Sequence, residues 1–164
     1  WPVSMFNLKR CLLTAHFTTK NGDELIIGNT HCSAFDDGSM RRQEADHLYT
    51  LLNSNGESTY VVGGDWNQYP EGYLPSDKEL KDRNFIVQPL PAESLNKIGR
   101  FKYDPSHHTA RYNDKPYHPE NSTRTLIDYF FYSNDITVEK INTLPLEFKY
   151  SDHNPVITVI SLQK

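Results

Sequence analysis

Tyr60-Val61-Val62-Gly63-Gly64-Asp65-Trp66-Asn67 is the stretch on which the fold turns. Its first three residues read as the end of a buried strand. The paired glycines let the backbone turn sharply where a side chain would clash. An acid and an amide then stand two residues apart at the strand's exit. In a sheet covered by helices, strand ends are where ligands are met, because loops there carry their groups on a rigid base. An anionic oxygen and a neutral amide held this way can bind a hard cation and orient a water. Taken alone, Asp65 and Asn67 fit an Asx turn closing a strand better than they fit a site. The surrounding chain has to change that balance.

Working upstream, Ser39 to Asn53 carries the best helical period in the sequence. Ala45, Leu48, Leu51 and Leu52 fall on one stripe, with Arg41, Arg42, Glu44 and Asp46 largely off it. Ser39 or Asp37 can cap its start, and Asn53-Ser54-Asn55-Gly56 stops it. Before it, the runs Arg10 to Phe17 and Glu24 to His31 are apolar and rich in β-branched residues. Asn21-Gly22 between them signals an antiparallel hairpin. The second run ends on Asn29-Thr30-His31, again with polar groups at a strand's exit. Strand, helix, strand predicts an α/β layer arrangement.

Downstream, prolines at 70, 75, 89, 91, 105, 116 and 119 interrupt the pattern from Gln68 to Ser122. A short helix is predicted over Asp77 to Asp82 and a short strand over Asn84 to Gln88. Phe101 to Glu120 mixes aromatic, basic and imidazole groups without a period. Long irregular segments in compact domains are usually functional or disordered, and the aromatic content argues against simple disorder. Strands return at Thr125 to Ser133 and Thr137 to Leu144. Pro155 to Leu162, nearly continuous in β-branched residues, predicts a buried strand. Tyr150-Ser151-Asp152-His153-Asn154 precedes it. No internal repeat and no linker divides the chain.

The 164 residues suffice for one domain with a real core, much of it tyrosine and phenylalanine. A formal net charge of -4 gives no bulk attraction for nucleic acid and suits a metal site with a local phosphate substrate better. There is no apolar run of spanning length and no charged-then-apolar leader. Cys11 and Cys32 lie in apolar strand-like segments and read as buried free thiols. The chain starts at Trp1-Pro2 without a Met, which looks like the middle of a longer polypeptide.

Six polar residues stand out: His31, Asp65, Asn67, Asp128, Asp152 and His153. Five lie at strand ends. Asp128 lies inside Leu126-Ile127-Asp128-Tyr129-Phe130, where an unpaired carboxylate would be expensive to bury. It therefore calls for a cation or an imidazole nearby, although Arg124 is also close in sequence. Each residue alone has an ordinary explanation as a turn or a satisfied polar group. Their recurrence in order on predicted strand ends makes coincidence the weaker account.

Asn29-Thr30-His31, Gly64-Asp65-Trp66-Asn67, Ile127-Asp128-Tyr129 and Ser151-Asp152-His153 resemble, in order and spacing, the endonuclease/exonuclease/phosphatase superfamily with its deoxyribonuclease I-like fold. The likeness is to the carboxy-terminal half of that domain and covers most of the chain apart from the irregular middle. It implies a two-sheet α/β/β/α sandwich that hydrolyses phosphate esters with a divalent metal, Mg²⁺ or Mn²⁺. By similarity, His153 would sit at the scissile phosphate, polarised by Asp128, and His31 would contact the phosphate from the other side. Asp65 and Asn67 would position or deprotonate the attacking water, with Asn67 also holding the phosphate. Asp152, with Asp65, would lie at the metal. An oxygen-rich site selects a hard cation, and cation and imidazoles together neutralise charge on the phosphorus oxygens.

One departure is large. The family takes a metal-binding glutamate and an asparagine from the first half of the domain, and that half is missing here; neither Glu24 nor Glu44 has the glutamate's context. Residues 1–164 are thus expected to be part of a single domain, with an incomplete metal site and an exposed apolar sheet face that normally pairs with the other half. The intact parent would be the enzyme, and the isolated chain weak or inactive. The substrate class, whether nucleic acid, nucleotide or lipid headgroup, is left open. Selectivity would reside in the middle segment, where Arg111 and Tyr112 stand among His107, His108, Lys115, Tyr117 and His118; these also fit a surface flap packing its tyrosines on the sheet. A non-catalytic module that binds a phosphate ligand or partner is the alternative from another class. A zinc site of His107, His108 and His118 matches no common spacing.

Overall fold

A computed structural model describes residues 10–34, 37–53, 58–82 and 93–163. The Asn-Gly signal folds as predicted. Strand β1 (Leu12–Thr18) and strand β2 (Glu24–His31) pair antiparallel, with Gly22 at φ 90° and Thr19 N–H donating to Asp23 O at 2.8 Å. Helix α1 (Ser39–Leu52) follows and returns the chain to β3 (Tyr60–Asp65), which lies parallel to β2. The cap of α1 is Gly38 at φ 92°, not Ser39 or Asp37; Asp37 helps from outside, its carboxylate accepting the Ser39 N–H at 3.0 Å.

The glycine pair makes no turn. Gly63 and Gly64 continue β3, and the missing side chains serve close approach instead. A Cβ on Gly64 would sit 1.9 Å from Thr30 O of β2, and one on Gly63 would sit 2.4 Å from the Phe130 ring. Phe130 belongs to β7 (Asp128–Tyr132), antiparallel to β3 on its other side.

The irregular middle supplies helix α2 (Asp77–Lys81), helix α3 (Glu93–Asn96) and two short strands, β4 (Arg100–Lys102) and β5 (Ala110–Arg111). Strand β4 forms the sheet edge beyond β7, completing the order β1-β2-β3-β7-β4. Three residues carry too little period for sequence to reveal such a strand. The strand predicted over Asn84 to Gln88 lies outside the described residues. The single strand predicted over Thr125 to Ser133 is interrupted: β6 (Arg124–Thr125) pairs with β5, and β7 starts at Asp128. Strand β8 (Ile136–Thr143) and β9 (Val156–Leu162) form a separate antiparallel ribbon.

Alternation along β3 sorts the core onto two faces. Tyr60 and Val62 pack with Ala45, Leu48 and Leu52 of α1, and with Trp66, Ile98, Tyr129 and Phe131. Trp66 is 1% exposed, and its indole N–H donates to Tyr129 O at 2.9 Å. Val61 faces the other way, joining Tyr132 and Ile136 beneath Val138, Ile160 and Leu162 of the ribbon. Two assignments on α1 reverse. Arg41 is 2% exposed and Leu51 is 46% exposed. The steps 41, 45, 48, 52 follow the helical period, and Leu51 falls off it.

Strand β9 is half-buried rather than fully buried. Ile160 and Leu162 lean on the Val61 face, while Ile157 and Val159 stand about half exposed. A ribbon covered on one side buries alternate residues only. On the Val61 face, Leu13 and Phe17 of β1 and Ile27 of β2 are also exposed, so part of this face is open apolar surface. Cys32 is buried, but Cys11, just before β1, is exposed; both are free thiols. No helix among the described residues is long and apolar enough to cross a membrane.

Candidate functional site

Register builds the site. His31 ends β2, Asp65 ends β3 and Asp128 begins β7, and the pairings His31↔Asp65 and Asp65↔Asp128 set the three in one row across the sheet. Residues in one row point to one face. The fourth member arrives from the loop before β9. Ala110 and His153 form a backbone bridge, Arg111 N–H donates to Asp152 O at 2.9 Å, and Asn154 N–H donates to Thr109 O at 2.7 Å.

His153 Nδ1 then lies 2.9 Å from Asp128 Oδ2, the pairing expected for a carboxylate among apolar neighbours, although Asp128 is only partly buried. Its Nε2 lies 3.7 Å from Asp65 Oδ2, and His31 Nε2 reaches the same oxygen from the other side at 3.2 Å. The result is a relay of four side chains, Asp128–His153–Asp65–His31, joined by one hydrogen bond and two longer charge contacts. Asp128 and His153, but not Asp65 or His31, line a groove of about 350 Å³ with Asn29, Gly63, Phe130, Ser151 and Pro155.

The electrostatics follow from burial and mutual charge. Burial, then the neighbouring Asp128 charge, pushes the Asp65 carboxyl up to about 6. Burial alone would lower the His153 imidazole, but the hydrogen bond to Asp128 and the charges of Asp128, Asp65 and Asp152 raise it to about 9. Burial, followed by the charges of Arg10 and His153, holds His31 below its ordinary 6.5. Near neutral pH the relay therefore carries one imidazolium, one neutral imidazole and a carboxyl group close to its own titration point.

This has a consequence for stability. A histidine raised on folding stabilises fully below about 6.5, and that contribution is lost as pH climbs through about 9. A carboxyl raised on folding acts with the same sign between about 4 and 6. The urea midpoint is expected to fall between pH 6 and pH 8.5, by the equivalent of roughly 2 kcal/mol; above that range the buried Cys32 thiol and the buried tyrosine hydroxyls, all raised by burial, add a slope of the same sign. In His153→Gln the slope below pH 8.5 should flatten; an unchanged slope there would assign the titration to another group.

The other expected site residues are placed differently. Asn67 is 7% exposed at φ 47°, with its N–H donating to Asp65 Oδ1 at 2.8 Å and its Nδ2 to Cys32 O at 2.9 Å. It sits behind Asp65 and aims it. Asp152 Oδ2 accepts from Asn113 Nδ2 at 2.9 Å. The Arg111 guanidinium donates to the carbonyls of Tyr112 and Lys115 at 3.1 and 3.2 Å, and the Tyr112 ring packs over Ala110 and Ile127. His107 lies by Ser106 and Asp104, and His118 Nδ1 accepts from the Glu120 N–H, so two of the three histidines of the zinc reading are engaged elsewhere.

A hard divalent cation needs about six oxygen ligands. Among the described residues no three acids, imidazoles or thiols gather into a cage for one. Asp65 Oδ2 is shared by two imidazoles, and Asp152 is tied to Asn113. The described residues therefore do not hold Mg²⁺ or Mn²⁺ by themselves.

Sequence reasoning missed Thr109, which is 1% exposed. Its hydroxyl oxygen accepts the N–H groups of both Ile127 and Asp128 at 3.0 Å, while its carbonyl receives Asn154. One residue thus fixes both partners of the Asp128–His153 pair. Nothing in the run His107-His108-Thr109-Ala110 marks it, because it works through backbone groups of distant segments. Thr109→Val keeps the shape and strands two buried donors, so it should destabilise the fold by about 2–4 kcal/mol in denaturant titration. A loss under about 0.5 kcal/mol would show that the hydroxyl is not the anchor.

A profile of the Endonuclease/Exonuclease/phosphatase family matches residues 3–153. No match was found among curated proteins. Similar solved structures include an endonuclease/exonuclease/phosphatase from Bacteroides vulgatus, at 22% identity and TM-score 0.64, covering 94% of this chain and 56% of that one. The human Nocturnin catalytic domain with bound sulfate anion aligns at 19% identity and TM-score 0.56, over 98% of this chain and 56% of that one. An AP endonuclease from Archaeoglobus fulgidus aligns at 18% identity and TM-score 0.62, over 91% and 65%. At these identities the likeness establishes the fold, which is deoxyribonuclease I-like. The chain spans between 56% and 65% of the length of these three structures.

Proposed function

We propose the function from one premise: this chain belongs to the endonuclease/exonuclease/phosphatase family. The function supported best is phosphoester hydrolysis by the intact parent, with this chain carrying the imidazole–carboxylate relay. The observation behind it is the convergence of His31 and His153 from opposite sides on a single oxygen of Asp65.

Ester hydrolysis at phosphorus needs a water to lose its proton, and it needs charge on the phosphorus oxygens to be neutralised. Asp65, raised to about 6, suits a proton acceptor working near neutral pH. His153, charged and tied to Asp128, offers an Nε2–H to a phosphate oxygen or to the leaving oxygen. His31 faces the same point from β2 and contacts the phosphate on its other side. Asn67 serves by aiming Asp65, and by holding phosphate once substrate is bound. Arg111, whose backbone N–H donates to Asp152 O, and Tyr112 beside it would act in substrate binding.

The same proposal makes residues 1–164 the carboxy-terminal part of one domain, whose amino-terminal part covers the open face of Leu13, Phe17 and Ile27. Mg²⁺ or Mn²⁺ would be held at the strand-end site, by Asp65 and Asp152 with ligands added from that amino-terminal part, and no step above passes through it. The substrate is a phosphate ester; the sulfate in the human Nocturnin catalytic domain is a tetrahedral oxyanion of the same shape.

The decisive measurement is hydrolysis of a generic phosphodiester by the intact parent with Mg²⁺ or Mn²⁺, against Asp65→Ala and His153→Ala. Wild-type-like turnover in both variants would remove the proposal. Tight ligand binding without any turnover would select the non-catalytic module instead.

A further inference from the structure

Glu44 and Arg41 lie one turn apart on α1, and each grips a loop that leaves the relay. Glu44 accepts both hydrogen bonds that Ser33 can donate, the N–H on Oε2 at 2.8 Å and the hydroxyl on Oε1 at 2.6 Å. Ser33 is 6% exposed and stands two residues beyond His31. Between them, Cys32 N–H donates to Asp65 O at 2.8 Å. Arg41 donates to Asn67 O and comes within 3.4 Å of Gln68 Oε1. Asn67 stands two residues beyond Asp65, and its N–H fixes Asp65 Oδ1.

The two parallel strands that end at the relay are therefore clamped in the same way, each two residues past its functional side chain, by a charged residue of one helix. Packing the helix on the sheet does not require this, since Ala45, Leu48 and Leu52 already bury the apolar stripe. A guanidinium at 2% exposure and a carboxylate chelating a buried serine are expensive to desolvate without return. We propose that Glu44 and Arg41 are positioning residues: acting through Ser33 and Asn67, they set the distance at which His31 and Asp65 meet. This rests on the hydrolase proposal above and names further residues that the reaction depends on.

The test uses the intact parent with Glu44→Gln, Glu44→Ala and, because a buried arginine is risky to truncate, Arg41→Lys. Misplacing a reacting group by a fraction of an ångström is expected to lower kcat about 10- to 100-fold with KM within about twofold. Glu44→Gln, which keeps one acceptor oxygen, should lose less than Glu44→Ala. Because Glu44 acts through His31, His31→Ala combined with Glu44→Ala should be no slower than His31→Ala alone. Losses that multiply would overturn the proposal, as would a fully active Glu44→Ala. A second readout needs no turnover. At one fixed pH the ring resonances of His31 should move in Glu44→Gln, while those of His153, held by Asp128, should stay. An unmoved His31 signal overturns the proposal. A parent that hydrolyses no phosphoester, but in which the His31 signal moves, sinks the hydrolase proposal and leaves the positioning role standing.

Discussion

His153→Ala in the intact parent is expected to lower kcat on a phosphodiester by about 10²–10⁴-fold, with a much smaller change in KM. The imidazolium is charged near neutral pH because Asp128 holds its Nδ1 and Asp65 faces its Nε2. Its charge matters most where negative charge grows, at the transition state, so the loss falls on kcat. Asp128→Asn sharpens the point. The ring stays in place but loses its main anionic partner, so its pKa falls back toward the ordinary 6.5. Activity that depends on the imidazolium should then survive near pH 6 and fail near pH 8, whereas the wild type holds its rate toward pH 9. An Asp128→Asn variant with the wild-type pH profile would break the link between the two residues, and a fully active His153→Ala would end the case for catalysis by this relay.

The parts of this protein that were legible in its sequence are those where one residue type answers one local demand. Asn21-Gly22 answers a tight hairpin, and the hairpin is there. Asp128 inside an apolar strand demands a counter-group, and His153 supplies it. The acids and imidazoles at strand ends anticipate the pair His31–Asp65, because pairing brings strand ends together; Asp128, expected inside a strand, instead begins β7 and so joins the same row. What was hidden works at a distance or through the backbone. Thr109, Ser33 and Glu44 are ordinary polar residues until the fold brings their partners near. Arginine on a helix usually faces solvent, yet the spacing of Arg41 with Ala45, Leu48 and Leu52 places it inward. The glycine pair misled for a similar reason. Glycine permits a turn, but it equally permits a neighbouring strand to come closer than a methyl group allows, and only the second happens here.

That close approach sets up the largest stability effect. Gly64→Ala would place a Cβ 1.9 Å from Thr30 O, 2.8 Å from Thr30 C and 3.0 Å from Thr30 N, all backbone atoms of β2, at a φ of 153° that L side chains rarely adopt. Backbone cannot swing aside as a side chain does, so β2 and β3 must separate at Thr30↔Gly64. That pair lies one residue before His31↔Asp65, so the same step misaligns the relay. The expected loss is about 3–5 kcal/mol, a large share of the roughly 5–15 kcal/mol that a domain possesses, and a fall in Tm on the order of 10 °C. Two neighbours calibrate it. Gly63→Ala meets only the Phe130 ring, which can rotate away, and should lose less. Gly22→Ala also has a positive φ, 90°, but nothing lies within 4 Å, so it should lose about 1 kcal/mol through backbone preference alone. Thermal melts of the three variants decide the matter. The order Gly64, Gly63, Gly22 from most to least damaging is required, and a Gly64→Ala protein that melts with Gly22→Ala would show that β2 and β3 are not packed backbone to backbone beside the site.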